Sequence, residues 1–390
     1  MTLPATYKQA AFKGLGEKLT FEEVPMKQPA ADEVLIKVEA CGICHSDVYA
    51  QYNGYGTGFP VVPGHEVIGR IVAVGTALSD KWKVGDRVGA GWHGGHDGTC
   101  TACKKGWFQG CDNAIVTGVT RDGGCKFTHF HSPSYQSLSH PPQTNKTTHP
   151  PDAEYTLLRA ESLIPIPPHV SAAKYAPLLC AGVTVFNSIR NQHIPQGATV
   201  AIQGLGGLGH LAIQYARRMG YRVIAISRGT EKQQAARTFG ASDYIDSTAS
   251  DAGEQLKALG GASLIVTTAE KAEAISPLIK GLSLHGKLLL LSLPGTLEID
   301  TLAMVKNALS VQVWAGGHAG DSAEAVEFAE LNGIDCVIET YKLEDAQRGY
   351  GMFAGIHHSS PFNRQLLTRI SLSDDAMSGK SRFRAVLTME

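Results

Sequence analysis

The stretch Thr199-Val-Ala-Ile-Gln-Gly204-Leu-Gly-Gly-Leu-Gly209-His-Leu-Ala-Ile-Gln-Tyr-Ala-Arg-Arg-Met219 decides the architecture. Residues 199–203 form a short apolar run that reads as a β-strand, and 210–219 carry a helical pattern. Between them, Gly204, Gly206, Gly207 and Gly209 permit a tight turn and a close approach of the backbone to a phosphate group. The charge of that group would then sit at a helix N-terminus. A glycine pattern alone is weak evidence; a strand directly before it and a helix directly after it make this a dinucleotide site, with the glycines beneath the pyrophosphate.

From about Ser171 onward, helices of roughly 15 residues alternate with short apolar strands at 199–203, 222–227, 264–268 and 287–291. Such alternation predicts a parallel sheet with helices on both faces. The first third is mainly β, with strands expected at 33–40 and 67–74, and a terminal strand is expected at 383–388. The fold class is therefore α/β, a β-rich domain plus a doubly wound sheet.

An acidic side chain about 20 residues beyond the glycines would bind the ribose hydroxyls of NAD and repel a 2′-phosphate. Here the second strand ends in Ser227-Arg228-Gly229, with Lys232 close behind. A hydroxyl, a guanidinium and an ammonium suit a phosphate, so NADP(H) is preferred, with NAD(H) as the alternative. The competing reading makes Arg228 and Lys232 a solvated turn.

Composition narrows the class. The chain has 390 residues, 43% apolar, with 43 glycines and a formal charge of −1, which fits a globular protein of two domains and argues against nucleic acid or an anionic membrane as partner. Residues 1–11 lack a signal-peptide core, and no apolar run approaches the roughly 20 residues of a membrane span, so the cytosol is the expected compartment. Three of the eight cysteines, Cys100, Cys103 and Cys111, fall within twelve residues, a spacing that favours metal over disulfide in a cytosolic chain.

The segment Cys41-Gly-Ile-Cys44-His-Ser-Asp47, followed by Gly64-His-Glu66, offers a thiolate, an imidazole and a carboxylate from loops between strands. A catalytic zinc needs about three protein ligands and an open position, so one more distant ligand is required. Together with CAGVT at 180–184, GWHGGHDGTCTACKKGWFQGCDN at 91–113 and SGKSRFRAVLTM at 378–389, these motifs closely resemble the zinc alcohol dehydrogenases of the medium-chain dehydrogenase/reductase family. The resemblance implies a GroES-like catalytic domain built from both chain ends, residues 1–183 and 313–390, around a Rossmann NADP(H)-binding domain at 184–312.

Position by position, it implies Cys44, His65 and Cys180 as catalytic zinc ligands, with Glu66 as a near or alternate ligand. Asp47 would orient the ligating histidine, Ser46 would pass on the alcohol proton, and His45 and Arg384 would meet the cofactor pyrophosphate. Tyr55 and Trp92 match aromatics that narrow the pocket toward small or planar primary substrates. A second, structural zinc is implied with a departure: the family's first cysteine is replaced, giving Asp97, Cys100, Cys103 and Cys111. Carboxylate oxygen is a competent zinc ligand. Tyr49 stands where some relatives carry the last histidine of the proton relay, which leaves the proton exit unassigned. The resemblance further implies a homodimer or homotetramer acting on a small alcohol or aldehyde. Two alternatives stay open: a zinc-free quinone or enone reductase of the same superfamily, and a non-catalytic nucleotide-binding relative.

Two stretches fit neither pattern. Residues 125–152 are rich in Ser, Thr, Pro and His and read as a disordered insert, and 351–374 interrupt an expected helix. Each can be read as a retained intron: if Cys125-Lys126 is encoded TGT AAG T and Pro151-Asp152 is CCA GAT, a splice donor and acceptor frame the segment, and Gly351-Met352 with Ser373-Asp374 allow the same reading. Spliced transcripts continuous through both stretches would refute this.

Overall fold

The computed structural model describes residues 3–120, 153–351 and 383–389. Except for Gly351, both proposed inserts lie outside the described residues.

Strand Thr199–Gln203 pairs in parallel with Arg222–Ser227 on one side and with Ala262–Thr267 on the other. Asp243–Asp246 extends the first side, and Leu282–Leu290 and Ser310–Val313 extend the second, giving a six-stranded parallel sheet. Chain order reverses between the two central strands, and ligands of such sheets bind at the carboxyl ends of the strands at that switch point. The glycine loop begins there.

Alternation along these strands explains why both faces are covered. Val200, Ile202, Val223, Ala225, Leu264 and Val266 face one core, and Ala201, Ile224, Ile226, Ile265, Leu288 and Leu290 face the other. Side chains of successive strand residues point to opposite faces, so a continuous apolar run feeds two cores. The helices are shorter than their sequence periodicity suggests: Gly209–Arg218 has 10 residues, Gln233–Phe239 and Ala252–Ala258 have 7 each, and only Ala319–Asn332, with 14, matches the expectation. Gly240, at φ 110°, stops the second of these in a left-handed conformation that a side chain would resist.

The second, seven-stranded sheet joins strands from the first half of the chain to the last one, while the N-terminal strand Thr6–Phe12 pairs separately with Leu19–Pro25. Strand Glu33–Ile43 pairs antiparallel with Val67–Val74, with Tyr155–Arg159 and with the last strand, Arg384–Thr388. The last strand also pairs in parallel with Ile338–Lys342. Observed strands match the expected ones within a few residues; the first runs on to Ile43 and so delivers Cys44 directly.

Helix Ala181–Arg190 joins the two halves and spans the expected junction at 183/184. It packs on Gly209–Arg218 and Ala319–Asn332. The rings of Phe186, Tyr215 and Phe328 meet there at centroid distances of 5.3 to 5.8 Å, and the Tyr215 hydroxyl donates to the Ala325 carbonyl at 2.9 Å. Cys180 is the residue that starts this helix, so its position is set by the shared core. No described helix is long and apolar enough to cross a membrane.

Candidate active site

Cys44 follows the strand Glu33–Ile43 and precedes a single 3₁₀ turn, His45–Asp47. That turn folds the Asp47 carboxylate back, where Oδ2 accepts the Cys44 N–H at 2.9 Å and the Tyr350 hydroxyl at 3.3 Å. Oδ1 accepts the Gly64 N–H at 3.3 Å and lies 2.8 Å from His65 Nδ1. A carboxylate that is 1% exposed needs this many donors to offset its lost hydration. The 2.8 Å approach of Asp47 Oδ1 assigns the Nδ1 hydrogen of His65 to Asp47 and leaves the buried Nε2 as a lone-pair donor.

Four potential ligand atoms converge on one point. Those of Cys44, His65, Glu66 and Cys180 all lie within 4.8 Å of one another, with Cys44 Sγ and Cys180 Sγ 3.9 Å apart. The hydrogen bond from Cys180, aided by His65, holds the Cys44 thiol well below its ordinary pKa, which favours the thiolate that binds metals. Two sulfurs, one imidazole nitrogen and a nearby carboxylate oxygen match the donor set of zinc. Glu66 and Arg384 form a buried ion pair beside this cluster. Burial pushes Glu66 up to about 7, opposed by Arg384. Gly42 lies directly beneath the carboxylate: a Cβ there would stand 1.9 Å from Glu66 Oε2, so any side chain would displace the carboxylate.

A second cluster brings together Asp97, Cys100, Cys103 and Cys111, also within 4.8 Å. Cys111 Sγ accepts the N–H groups of Asp97 at 3.4 Å and Asn113 at 3.3 Å, and Cys100 Sγ accepts that of Cys103 at 3.4 Å. Asp97 accepts from the backbone of Thr99 and Cys100 and from the Asn113 side chain, which together hold it well below the usual carboxylate range. The backbone donor lowers the Cys100 thiol, whereas burial raises Cys111 and pushes Cys103 up to about 12.

Aromatic side chains wall the first cluster. The Trp92 ring stands perpendicular to His65 at 4.8 Å, and Tyr49 meets both Tyr55 and Trp92 edge-on at 5.9 and 6.1 Å. Tyr49 was visible in the sequence only as a departure from a relay; its role as a wall depends on the turn that brings it against Tyr55. Ser46 is half-buried in the turn between Cys44 and Asp47.

On the dinucleotide side, a Cβ on Gly209 would lie 1.7 Å from the Gly204 carbonyl oxygen, which makes Gly209 obligatory for the turn. A Cβ on Gly206 would meet nothing within 4 Å, so open space adjoins the loop there. Lys232 Nζ donates to the Leu205 carbonyl at 2.9 Å, drawing the ammonium against the loop. The turn after Ser227 is held by Asp246 Oδ1, which accepts the Gly229 N–H at 2.9 Å, and by the Tyr244 hydroxyl, which donates to the Gly229 carbonyl at 2.8 Å. Burial and the nearby Arg228 lower the pKa of Lys232, as expected for two cations that converge. His45 faces Glu270 across the groove, Nδ1 to Oε1 3.6 Å, a neighbour that spacing along the sequence could not reveal.

Comparison with known proteins follows the same division. Residues 30–141 match the alcohol dehydrogenase GroES-like domain, and 207–331 match the zinc-binding dehydrogenase domain. Alcohol dehydrogenase notN of an Aspergillus species is 53% identical over 390 residues, covering all of both chains. The chain belongs to the zinc-type medium-chain dehydrogenase/reductase family. It is thus an oxidoreductase of the alcohol dehydrogenase type, with a small-molecule substrate. Alcohol dehydrogenase patD of Penicillium expansum is 50% identical over 388 residues, 100% of this chain and 99% of its own. Among solved structures, a cinnamyl alcohol dehydrogenase from Sorghum bicolor superimposes with a TM-score of 0.78 at 25% identity, covering 98% of this dehydrogenase and 97% of its own chain.

Proposed function

We propose that this alcohol dehydrogenase is a zinc-dependent, NADP(H)-preferring reductase that converts planar aldehydes to primary alcohols in the cytosol. The convergence of Cys44, His65, Glu66 and Cys180 within 4.8 Å carries the proposal. Cys44, His65 and Cys180 would hold the catalytic zinc, with Glu66 as a nearby or alternate ligand, and Asp97, Cys100, Cys103 and Cys111 would hold a structural one. When bound, zinc supplies a Lewis acid for the carbonyl oxygen and the nicotinamide supplies hydride.

The chain's own residues do the rest. Asp47 fixes the tautomer and orientation of His65. Ser46 holds a hydroxyl beside the cluster as proton donor and acceptor. Trp92, Tyr55 and Tyr49 wall the cluster and favour a flat substrate, in keeping with the similarity to a cinnamyl alcohol dehydrogenase. His45, Arg384 and the loop of Gly204, Gly206, Gly207 and Gly209 would bind the pyrophosphate. Ser227, Arg228 and Lys232 would bind the 2′-phosphate, whose charge would relieve the convergence of two cations.

The division into a catalytic part, 1–183 with 313–390, and a cofactor part, 184–312, is proposed on the same basis. So is a homodimer or homotetramer: the edge strand Ser310–Val313 leaves one side unpaired in its sheet, with Val313 58% exposed, and open edges invite pairing with a second copy.

The deciding experiment measures reduction of cinnamaldehyde with NADPH and with NADH, before and after zinc is stripped. Faster turnover with NADPH, lost on stripping and restored by zinc, supports the proposal. A preference for NADH refutes the cofactor assignment. Turnover that survives complete zinc removal would favour the quinone or enone reductase reading.

A further inference from the structure

His210 is the second residue of the helix Gly209–Arg218, is fully buried, and is engaged at both ring nitrogens. Nδ1 lies 3.1 Å from the Gly206 carbonyl oxygen, which can only accept, so Nδ1 carries the hydrogen. Nε2 accepts the N–H of Val337 at 3.2 Å. The neighbours therefore select the neutral Nδ1–H tautomer. Cys336 Sγ lies 3.4 Å from the same Nε2; burial pushes its thiol up to about 12, so it stays protonated and acts as a weak second donor.

The faces of the ring are equally committed. Phe383 stacks on it at 4.9 Å with 22° between the planes, and Phe239 meets it at 5.6 Å. Phe383 leads into Arg384, and both sit on Gly207: a Cβ there would stand 2.9 Å from Arg384 Cδ and 3.3 Å from the Phe383 carbonyl oxygen. Arg384 then reaches Glu66 in the four-ligand cluster. One imidazole thus touches the glycine loop through Gly206, the last strand through Phe383, and the approach to strand Ile338–Lys342 through Val337.

We infer that His210 is a positioning residue that sets the glycine loop in register with Arg384 and, through it, with the cluster of Cys44, His65, Glu66 and Cys180. The inference rests on the reading of that loop as the dinucleotide site. If the Gly206 carbonyl turns away from His210, the peptide that follows it turns as well, and the space left open at Gly206 no longer fits a pyrophosphate.

Two substitutions separate the bonds. His210→Asn keeps an amide donor near the Nδ1 position and loses the link to Val337; His210→Gln keeps an acceptor near the Nε2 position and loses the donor to Gly206. NADPH dissociation constants of the zinc-loaded protein, read by fluorescence titration, are expected to stay within about threefold of the parent for H210N and to rise about tenfold for H210Q, the scale of one neutral hydrogen bond. Melting temperatures of the two variants should fall together, so that a general loss of stability cannot produce the difference. Nitrogen-15 shifts of His210 in the parent should show the Nδ1–H tautomer, a readout that needs no variant. Equal NADPH constants for the two variants, or an Nε2–H tautomer, overturn the inference. A parent protein that binds neither NADPH nor NADH instead overturns the reading of the loop.

Discussion

Glu66 and Arg384, 318 positions apart, form an ion pair with side chains 0% and 3% exposed. It ties the strand at the end of the chain to the cluster near its beginning. Buried pairs of this kind contribute little net stability compared with an apolar replacement, because the attraction is offset by lost hydration of both charges. Their geometric role is stronger, since neither group can leave without exposing the other to an apolar surround.

Removing one partner should therefore cost more than removing both. Arg384→Met is expected to destabilise the protein by about 3 kcal/mol, and Glu66→Gln combined with Arg384→Met by clearly less. Urea unfolding of the single and double variants tests this; additive losses would contradict it.

Asp47 holds His65 by a single 2.8 Å contact and has both oxygens occupied by other donors. Asp47→Asn should lower zinc affinity at the Cys44, His65 and Cys180 site by about 10- to 100-fold, the usual effect of losing the carboxylate behind a metal-bound histidine. Competition with a chelator should release one zinc early, while the zinc at Asp97, Cys100, Cys103 and Cys111 is retained.

Lys232 reaches the loop carbonyl of Leu205, and Arg228 lies near enough to lower its pKa. Replacing both by Ala should raise the NADPH dissociation constant roughly 10- to 100-fold, as expected for lost charge-assisted hydrogen bonds, and leave that of NADH within about threefold. Equal losses for both cofactors would show that these cations serve the fold or the pyrophosphate instead.

Burial lowers the pKa of His210 to about 4, with Arg384 adding repulsion; Cys336, its other titratable neighbour, remains a neutral thiol. The unfolded chain takes up this proton near 6.5, whereas the folded chain resists it. Stability from this residue is thus complete above about pH 6.5 and is lost as pH falls toward about 4, by about 3 kcal/mol in all. Urea midpoints of the parent and H210Q between pH 7 and pH 4 should show a steeper decline in the parent.

Local sequence determined a large part of this protein. The strand, glycine loop and helix at 199–219 announced the parallel sheet because tight backbone approach demands glycine at fixed spacing. The motif at 41–47 pointed to Cys44 and Asp47 through its family resemblance, and the short turn between them folds the Asp47 carboxylate back onto the Cys44 N–H. The spacing of Asp97, Cys100, Cys103 and Cys111 gathers four potential ligands within fifteen residues.

Only tertiary structure decided what depends on distant segments. Cys180 reaches Cys44 across 136 positions because a shared helical core fixes the start of helix Ala181–Arg190. Tyr350 donates to Asp47 across 303 positions, and Tyr49 becomes a wall only once Tyr55 and Trp92 fold against it. His210 reads in sequence as one more helical residue after a glycine loop. Its partners at 336, 337 and 383 are set by the packing of two sheets, which no local periodicity encodes.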